Sequence, residues 1–418
     1  MLVFLWVSFE FLHLNWELSW PWLNLGNVFA ANPEIVQWYE YTGALGGTAW
    51  ILITNILGFY ILKSVFAGSI IVKKLVALSC LTFILLLVPI LISYYIGNNY
   101  KEKHNPVGIV IVQPNHDPYK MPETISEVID RLEYMTELAT QKIGPETSFI
   151  ISPEASIYER LWINHAEANP SVSKLRLFSR LNNNVSWVAG AFLYRMYYGM
   201  DKPTPTSARH KVFNEYYDTF NSAIMIEGSE PMQHYHKSKL VPGIESLPFY
   251  SVTRYIAPII ERLGGTGTGL GKQKNRTPFV NADSISVAPI ICYESVFGEY
   301  VSKYVRNGAQ LLFIITNDGW WGKTSGYRQH FHYARLRAIE TRRSIARSAS
   351  TGISGFIDQK GDIQNTIDWN TAGAISQKIN ANDKITFYVY NGDYIGRLSV
   401  FFTILIVLYM ITQKMMRR

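Results

Sequence analysis

Three residues with reactive side chains lie at or beyond the ends of short apolar runs, which is where an α/β scaffold presents its chemistry. Glu154 follows Phe149–Pro153, and Cys292 comes directly after Val287–Ile291. Lys237 lies in a polar loop that is followed by the apolar Leu240-Val241-Pro242. A carboxylate can act as a general base, an ammonium can hold a developing oxyanion, and a thiol becomes a nucleophile when a base and a cation stabilise its thiolate. Taken singly, each residue also has an ordinary interpretation: a surface carboxylate, a solvated lysine and a structural free cysteine.

The elements that would position these residues are predicted from apolar patterning. Several β-branched runs are nearly continuous, as in strands buried on both faces. They are Gly108–Gln113, Ser148–Ile151, Val185–Phe192, Ser222–Ile226, Ser284–Cys292, Leu311–Thr316 and Lys384–Tyr390. Three- and four-residue apolar spacings predict helices in Glu123–Gln141 and Gln329–Arg342. The pattern indicates an α/β class with helices covering sheets.

The composition excludes a purely soluble protein and a disordered one. Of the 418 residues, 48% are hydrophobic and only 17% are charged, against roughly 25% charged in ordinary domains. Gly43–Leu62, Leu75–Gly97 and Leu398–Gln413 contain no charged residue and are near or above the length that crosses a bilayer. We therefore predict three parts: a membrane segment over residues 1–97, a folded domain over 98–393, and a final span with a basic tail over 394–418.

The net charge of +7 does not indicate a nucleic-acid partner, because no long Lys/Arg run is present. The basic residues near the spans set topology instead; they are Lys63, Lys73, Lys74, Lys414, Arg417 and Arg418. By the positive-inside rule, the large domain lies outside the cytoplasm and the carboxyl terminus lies inside. The two cysteines, Cys80 in a span and Cys292 in the domain, are not expected to form a disulfide.

Two other patterns have more than one interpretation. Trp16, Trp20 and Trp22 are typical of a segment at the lipid–water interface, or of a buried core. The pairs His234/His236 and His330/His332 have a spacing that places two imidazoles on one strand face. A third zinc ligand is not apparent, so no metal site is predicted.

Five motifs occur together with these spans, and their combination is highly specific. They are Val112-Gln113-Pro114-Asn115, Ser152-Pro153-Glu154-Ala155, Tyr235-His236-Lys237 with Leu240-Val241-Pro242, Ile291-Cys292-Tyr293-Glu294, and Asn317-Asp318-Gly319-Trp320-Trp321-Gly322. Their order and spacing resemble those of the nitrilase superfamily of carbon–nitrogen hydrolases. With the membrane spans, the chain is similar to the apolipoprotein N-acyltransferase family over essentially its whole length.

The resemblance implies roles for individual residues. Glu154 would be the base, Lys237 the oxyanion stabiliser and Cys292 the nucleophile of an acyl transferase. Its supporting and substrate-binding residues would be Glu245, Tyr293, Glu294, Trp320 and Trp321. Trp321 stands where the family often has Phe; either tryptophan would cap an acyl-binding groove, or else be an ordinary core aromatic.

The resemblance also implies a fold and a reaction. The fold is an αββα sandwich inserted between transmembrane helices of the bacterial inner membrane, with the catalytic domain on the periplasmic side. The reaction needs no cofactor: an acyl chain passes from a phospholipid, through a cysteine thioester, to the α-amine of a diacylglyceryl-cysteine on a lipoprotein. The family has about eight transmembrane helices, whereas this sequence supplies three clear ones and the apolar Met1–Leu14, so we expect the front of the bundle to be missing.

Two rival functions use the same residues differently. A membrane-tethered nitrilase-type amidohydrolase would admit water to the thioester. A catalytically silent scaffold would be favoured if Glu154, Lys237 and Cys292 did not converge in space.

Overall fold

A computed structural model of the protein describes residues 1–67, 72–199, 204–209, 214–253, 255, 259 and 269–417. Arg418, one of the basic residues used to predict topology, lies outside the described residues.

The α-helices alternate with the strands in the central part of the chain and flank it at both ends. They are α1 Leu2–Asn15, α2 Tyr39–Phe66, α3 Val72–Asn99, α4 Ile125–Thr140, α5 Pro170–Leu181, α6 Tyr250–Thr253, α7 Gly298–Arg306, α8 Gly326–Thr341, α9 Phe387–Asn391 and α10 Tyr394–Met416. Short 3₁₀ helices cover Pro21–Leu23, Leu25–Ala31, Pro33–Ile35, Ile163–Ala168, Cys292–Val296 and Asp318–Trp321.

The described strands form two sheets. They are β1 Pro106–Gln113, β2 Thr147–Ile151, β3 Ile157–Trp162, β4 Ser186–Tyr197, β5 Ala208–Arg209, β6 Tyr216–Ile226, β7 Gln233–His236, β8 Phe279–Val280, β9 Ser286–Ile291, β10 Leu311–Thr316, β11 Ile345–Ala349, β12 Ser354–Ile357, β13 Ile363–Ile367 and β14 Gly373–Asn380. The first sheet has the order β14-β1-β2-β4-β6-β5, with β3 also paired to β4 and β7 to β6. The second has the order β13-β12-β11-β10-β9-β8. Strands β1, β2 and β4 are parallel to one another, as are β9, β10 and β11.

The two sheets pack face to face, and helices cover their outer faces. In β1, Ile109 and Ile111 point into the core between the sheets, whereas Val110 and Val112 point to the outer side, where α4 and α5 pack. Phe149 of β2 meets Phe313 of β10 across the sandwich, with ring centroids 5.1 Å apart. Because successive strand residues face opposite sides, strands buried on both faces read as continuous apolar runs. The resulting α/β sandwich confirms the predicted fold class.

Among the described residues, α2, α3 and α10 are long and apolar enough to cross a membrane. Helix α1 is apolar but shorter, and it packs along α10. Membrane-competent helices therefore stand on both sides of the sandwich in the sequence.

One predicted strand is wrong. Residues of Lys384–Tyr390 form a loop and the start of α9 instead. The Thr386 hydroxyl accepts a hydrogen bond from the Val389 amide and so caps this helix. This local hydrogen bond favours a helix start over a strand. Within the run, Tyr388 and Val389 are buried, whereas Ile385, Phe387 and Tyr390 are exposed.

Candidate active site

Glu154 lies in a tight loop directly after β2, pressed against the neighbouring strand β4. The amide of Gly190 in β4 donates to the Pro153 carbonyl at 3.0 Å, and the Ser156 amide donates to the Gly190 carbonyl at 2.9 Å. Ala155 takes a positive φ of 53°, which turns the chain sharply after the carboxylate. These contacts hold the backbone of Glu154 at the carboxyl end of a buried parallel strand.

Lys237 follows β7, and its amide donates to the Asn221 carbonyl of β6 at 2.8 Å. Its side chain is 1% exposed, and Nζ donates to Glu154 Oε1 at 3.0 Å and to Glu245 Oε1 at 2.9 Å. Burial disfavours the charged amine, but the two carboxylates outweigh this and raise the pKa of Lys237. The lysine is therefore a fixed cation between two carboxylates.

Asn221 joins the same cluster and was not predicted from the sequence. Its Nδ2 donates to Glu154 Oε1 at 2.7 Å and to Glu245 Oε1 at 2.8 Å. Glu245 also accepts from the Val241 amide at 2.8 Å, which closes its own loop. The only signal for Asn221 in the sequence is an amide side chain inside the apolar run of β6.

Glu154 keeps acceptor capacity free for chemistry. Its Oε1 accepts from Lys237 and Asn221, whereas Oε2 accepts from the Asn317 amide at 3.1 Å. A carboxylate oxygen has two lone pairs, so Oε2 has one available for a proton.

Cys292 begins the 3₁₀ helix that follows β9 and adopts a positive φ of 49°. Burial raises the pKa of its thiol and the charge of Glu154 raises it further, whereas the Lys237 ammonium lowers it. The Thr316 hydroxyl at the end of β10 lies within hydrogen-bonding reach of the sulfur. The structure thus brings the thiol within the electrostatic reach of both Glu154 and Lys237.

Glu294 connects the cysteine turn to the lysine loop. Its Oε2 accepts from the Ile291 amide at 3.0 Å, and its Oε1 accepts from the Ser238 amide at 2.6 Å and from the Tyr235 hydroxyl at 3.0 Å. Tyr300 donates to the same oxygen. The carboxylate is fully buried, so it fixes the separation of two loops rather than meeting a ligand.

Tyr293 connects the site to the amino-terminal segment. Its hydroxyl donates to the Ser19 carbonyl, and its ring stacks on Trp22 with centroids 5.8 Å apart and planes 9° from parallel. Trp321 also contacts Trp22, at 5.4 Å. Trp320 instead lies 58% exposed, edge-on to Tyr119 at 5.0 Å. The two predicted tryptophans therefore occupy different surroundings.

The histidine pairs differ from each other. His234 and His236 are on β7 with ring centroids 5.0 Å apart, whereas His330 and His332 are on helix α8, where a two-residue spacing does not share a face. The strand interpretation of the second pair is therefore wrong. Within the described parts of the chain, no group of three or more His, Cys, Asp or Glu side chains is placed to hold a metal ion.

Comparison with known families matches both parts of the chain. The carbon-nitrogen hydrolase family model matches residues 109–385, and the model of the apolipoprotein N-acyltransferase N-terminal domain matches residues 1–57. These are the sandwich and the amino-terminal segment with most of α2.

Curated relatives align along nearly the whole chain. The apolipoprotein N-acyltransferase of Chlorobaculum tepidum is 29% identical over 415 residues, covering 96% of this chain and 74% of the relative. That of Thermotoga maritima is 27% identical over 400 residues, covering 94% and 67%, and that of Rickettsia typhi is 27% identical over 434 residues, covering 96% and 74%. The chain therefore belongs to the carbon-nitrogen hydrolase family, and the relatives above, which align with nearly all of it, are apolipoprotein N-acyltransferases.

Proposed function

We propose that the protein transfers a fatty acyl chain from a membrane phospholipid to the α-amine of a lipoprotein's N-terminal diacylglyceryl-cysteine. The observation that supports this most directly is the buried Lys237, paired with Glu154 and Glu245 and acting electrostatically on the Cys292 thiol. The same chain carries membrane-competent helices and an amino-terminal match to apolipoprotein N-acyltransferases.

The first half of the reaction forms a thioester on Cys292. Because burial raises the pKa of the Cys292 thiol, the thiol needs a base as it attacks the ester carbonyl of the phospholipid. Glu154 takes that proton on the lone pair left free on Oε2. The tetrahedral intermediate then collapses, and Glu154 returns the proton to the departing lysophospholipid oxygen.

Lys237 stabilises the oxyanion that forms in each tetrahedral intermediate. Its charge is fixed by Glu154 and Glu245 before substrate arrives, so little reorganisation accompanies the reaction. Glu245 acts through the lysine, and Glu294 acts through the two loops that it joins. Both are positioning residues.

The second half discharges the thioester to the amine of the acceptor, with Glu154 accepting the amine proton. A covalent intermediate suits two bulky lipid substrates because they need not be bound together. We assign Tyr293 and Trp321, which meet at Trp22, to the apolar wall of the acyl site, and the exposed Trp320 to its rim.

The helices set the position and orientation of the domain. The charge pattern of the flanking residues supports a periplasmic position for residues 98–393 and a cytoplasmic position for the carboxyl terminus. Residues 1–97 and 394–418 would then hold the site at the height of both lipids.

Intact-protein mass spectrometry tests the proposal. The protein purified from membranes and mixed with phospholipid is expected to gain one acyl-sized mass, which peptide mapping places on Cys292. Cys292→Ala should lose the adduct, and Cys80→Ser, which removes the other free cysteine, should keep it. An adduct that persists in Cys292→Ala, or none in the wild-type protein, would contradict the assignment.

A further inference from the structure

A second buried polar cluster lies on the other side of the cysteine turn. Asp318, His330 and Arg347 are each at most 1% exposed, and no step of the reaction above uses them. Buried charged groups are costly to desolvate, so a set of three beside a nucleophile needs an explanation.

The contacts in this cluster link Arg347 and Asp318 to His330, and His330 to the backbone of Cys292. Arg347 Nη2 donates to Asp318 Oδ2 at 2.6 Å and lies 3.3 Å from His330 Nδ1, which is 2.8 Å from Asp318 Oδ1. With Nδ1 engaged, the other ring nitrogen of His330, Nε2, lies 3.2 Å from the backbone carbonyl oxygen of Cys292. The Ser295 hydroxyl donates to the same oxygen at 2.7 Å and lies 3.0 Å from Nε2.

Nε2 faces a carbonyl oxygen, which is an acceptor, so an imidazole that carries a proton on Nε2 suits this arrangement. Asp318 and Arg347 hold the ring in place from one side. The Cys292 carbonyl oxygen is therefore contacted by two side chains, Ser295 and His330, from two different elements.

The position of this carbonyl decides where the next amide points. In a trans peptide the C=O of Cys292 and the N–H of Tyr293 are on opposite sides of one rigid plane. The first amides of a helix have no acceptor within the helix, so the Tyr293 N–H is not used by the 3₁₀ turn. A positive φ, as at Cys292, is uncommon for a residue other than glycine. Contacts from outside the turn are therefore needed to keep the peptide plane after Cys292 in this orientation.

We infer that His330, supported by Asp318 and Ser295, is a positioning residue that holds the Cys292 carbonyl so that the Tyr293 N–H faces the reacting carbonyl as a second oxyanion donor beside Lys237. The inference rests on the proposed thioester chemistry of Cys292. Both half-reactions should then depend on the cluster equally, because both place an oxyanion between Lys237 and the Tyr293 N–H.

The test compares His330→Leu with His330→Gln, whose amide restores an N–H donor near the position of Nε2. We expect His330→Leu to slow thioester formation and its discharge by similar factors, about 10- to 100-fold, less than the complete loss of an oxyanion donor. His330→Gln should recover most of both rates. His332→Leu, two residues along the same helix and without a described contact to Cys292, is the matched control and should stay near the wild-type rates.

Alkylation of Cys292 by iodoacetamide separates positioning from general damage. In that reaction the thiol gives its proton to a base, the sulfur forms a bond to carbon and iodide leaves, so no oxyanion forms. The rate, measured in a Cys80→Ser background, should therefore change less than about twofold in His330→Leu. If His330→Leu does not fold, Ser295→Ala is used instead, because it removes the other hydrogen bond to the Cys292 carbonyl. It should likewise slow acylation and leave the alkylation rate nearly unchanged.

Parallel losses in alkylation and acylation would overturn the inference, because the cluster would then act on the thiol or on the fold. Unchanged acylation in His330→Leu and Ser295→Ala would overturn it as well. Failure of the proposed function is distinguishable, since the wild-type protein itself would then form no thioester.

Discussion

A Cβ atom placed on Gly190 would lie 2.5 Å from the Cα of Glu154. The strand β4 and the loop of the candidate base are thus in backbone contact, and only a residue without a side chain allows this approach.

Gly190→Ala is therefore expected to push the Glu154 loop away from β4. Overpacking of this kind costs ~1–3 kcal/mol in the free energy of unfolding, and acylation of Cys292 should fall with it. Thermal unfolding in detergent and the rate of adduct formation measure the two effects. Gly144→Ala, where a Cβ meets nothing within 4 Å, is the control; equal behaviour of the two variants would contradict the role of Gly190.

Strands β2 and β10 could be predicted because they are buried on both faces, whereas the half-buried β7 before Lys237 was not predicted. Leu311–Thr316 was predicted with the bounds that the structure has, and Thr147–Ile151 within one residue. The strands β13 and β14 have exposed or half-buried polar residues, so they lack a continuous apolar run and were missed. Local capping by Thr386, which apolar patterning does not reveal, made the prediction for Lys384–Tyr390 wrong.

Glu154, Lys237 and Cys292 could be predicted because they follow apolar runs, whereas Glu245 was implied only by the family resemblance. Glu154, Lys237 and Glu245 do converge. Asn221 and His330 were not predicted as site residues, because their importance depends on which strands and helices become neighbours in the sandwich. That pairing is a long-range property, and no local spacing encodes it.

Glu294→Gln tests the connection between the cysteine turn and the lysine loop. The carboxylate accepts from Ile291 and Ser238 amides on different oxygens, and a glutamine amide nitrogen cannot accept. One buried amide loses its partner, at a cost of ~1–3 kcal/mol, and acylation should slow as the Lys237 loop loosens. The exposed Glu230→Gln removes a carboxylate elsewhere; a variant of Glu294 as stable and active as this control would refute the connection.

Glu340 predicts a pH dependence of stability. Burial raises its pKa from 4.5 to about 7, although Arg337 opposes the shift. Between these values the folded protein retains a proton that the unfolded chain has lost, so the free energy of unfolding falls as pH rises through this window, by roughly 3 kcal/mol in total.

Thermal unfolding of Glu340→Gln at pH 5 and pH 8 measures this effect. The variant cannot lose the proton, so it should gain stability relative to the wild-type protein as pH rises. Glu137→Gln, an exposed substitution on α4, controls for the loss of a carboxylate. The same difference in stability between Glu340→Gln and the wild-type protein at pH 5 and at pH 8 would contradict this prediction.

Lys237→Met keeps the length of the side chain and removes the cation between Glu154 and Glu245. Loss of an oxyanion donor lowers rates by about 10²–10³-fold, so thioester formation should slow by that factor in rapid-quench experiments. Lys272→Met, at an exposed lysine, should behave as the wild-type protein. A decrease of less than about threefold for Lys237→Met would remove the lysine from the mechanism.

The central claim is that the thioester on Cys292 is passed to an amine and withheld from water. The most direct measurement is the lifetime of the acyl adduct, followed by intact mass, with and without a diacylglyceryl peptide that has a free α-amine. A transferase excludes water from the site until the amine arrives, so the adduct should persist in buffer, and the peptide should discharge it while gaining the acyl mass. Release of free fatty acid at the same rate with or without the peptide would contradict the account and identify a hydrolase.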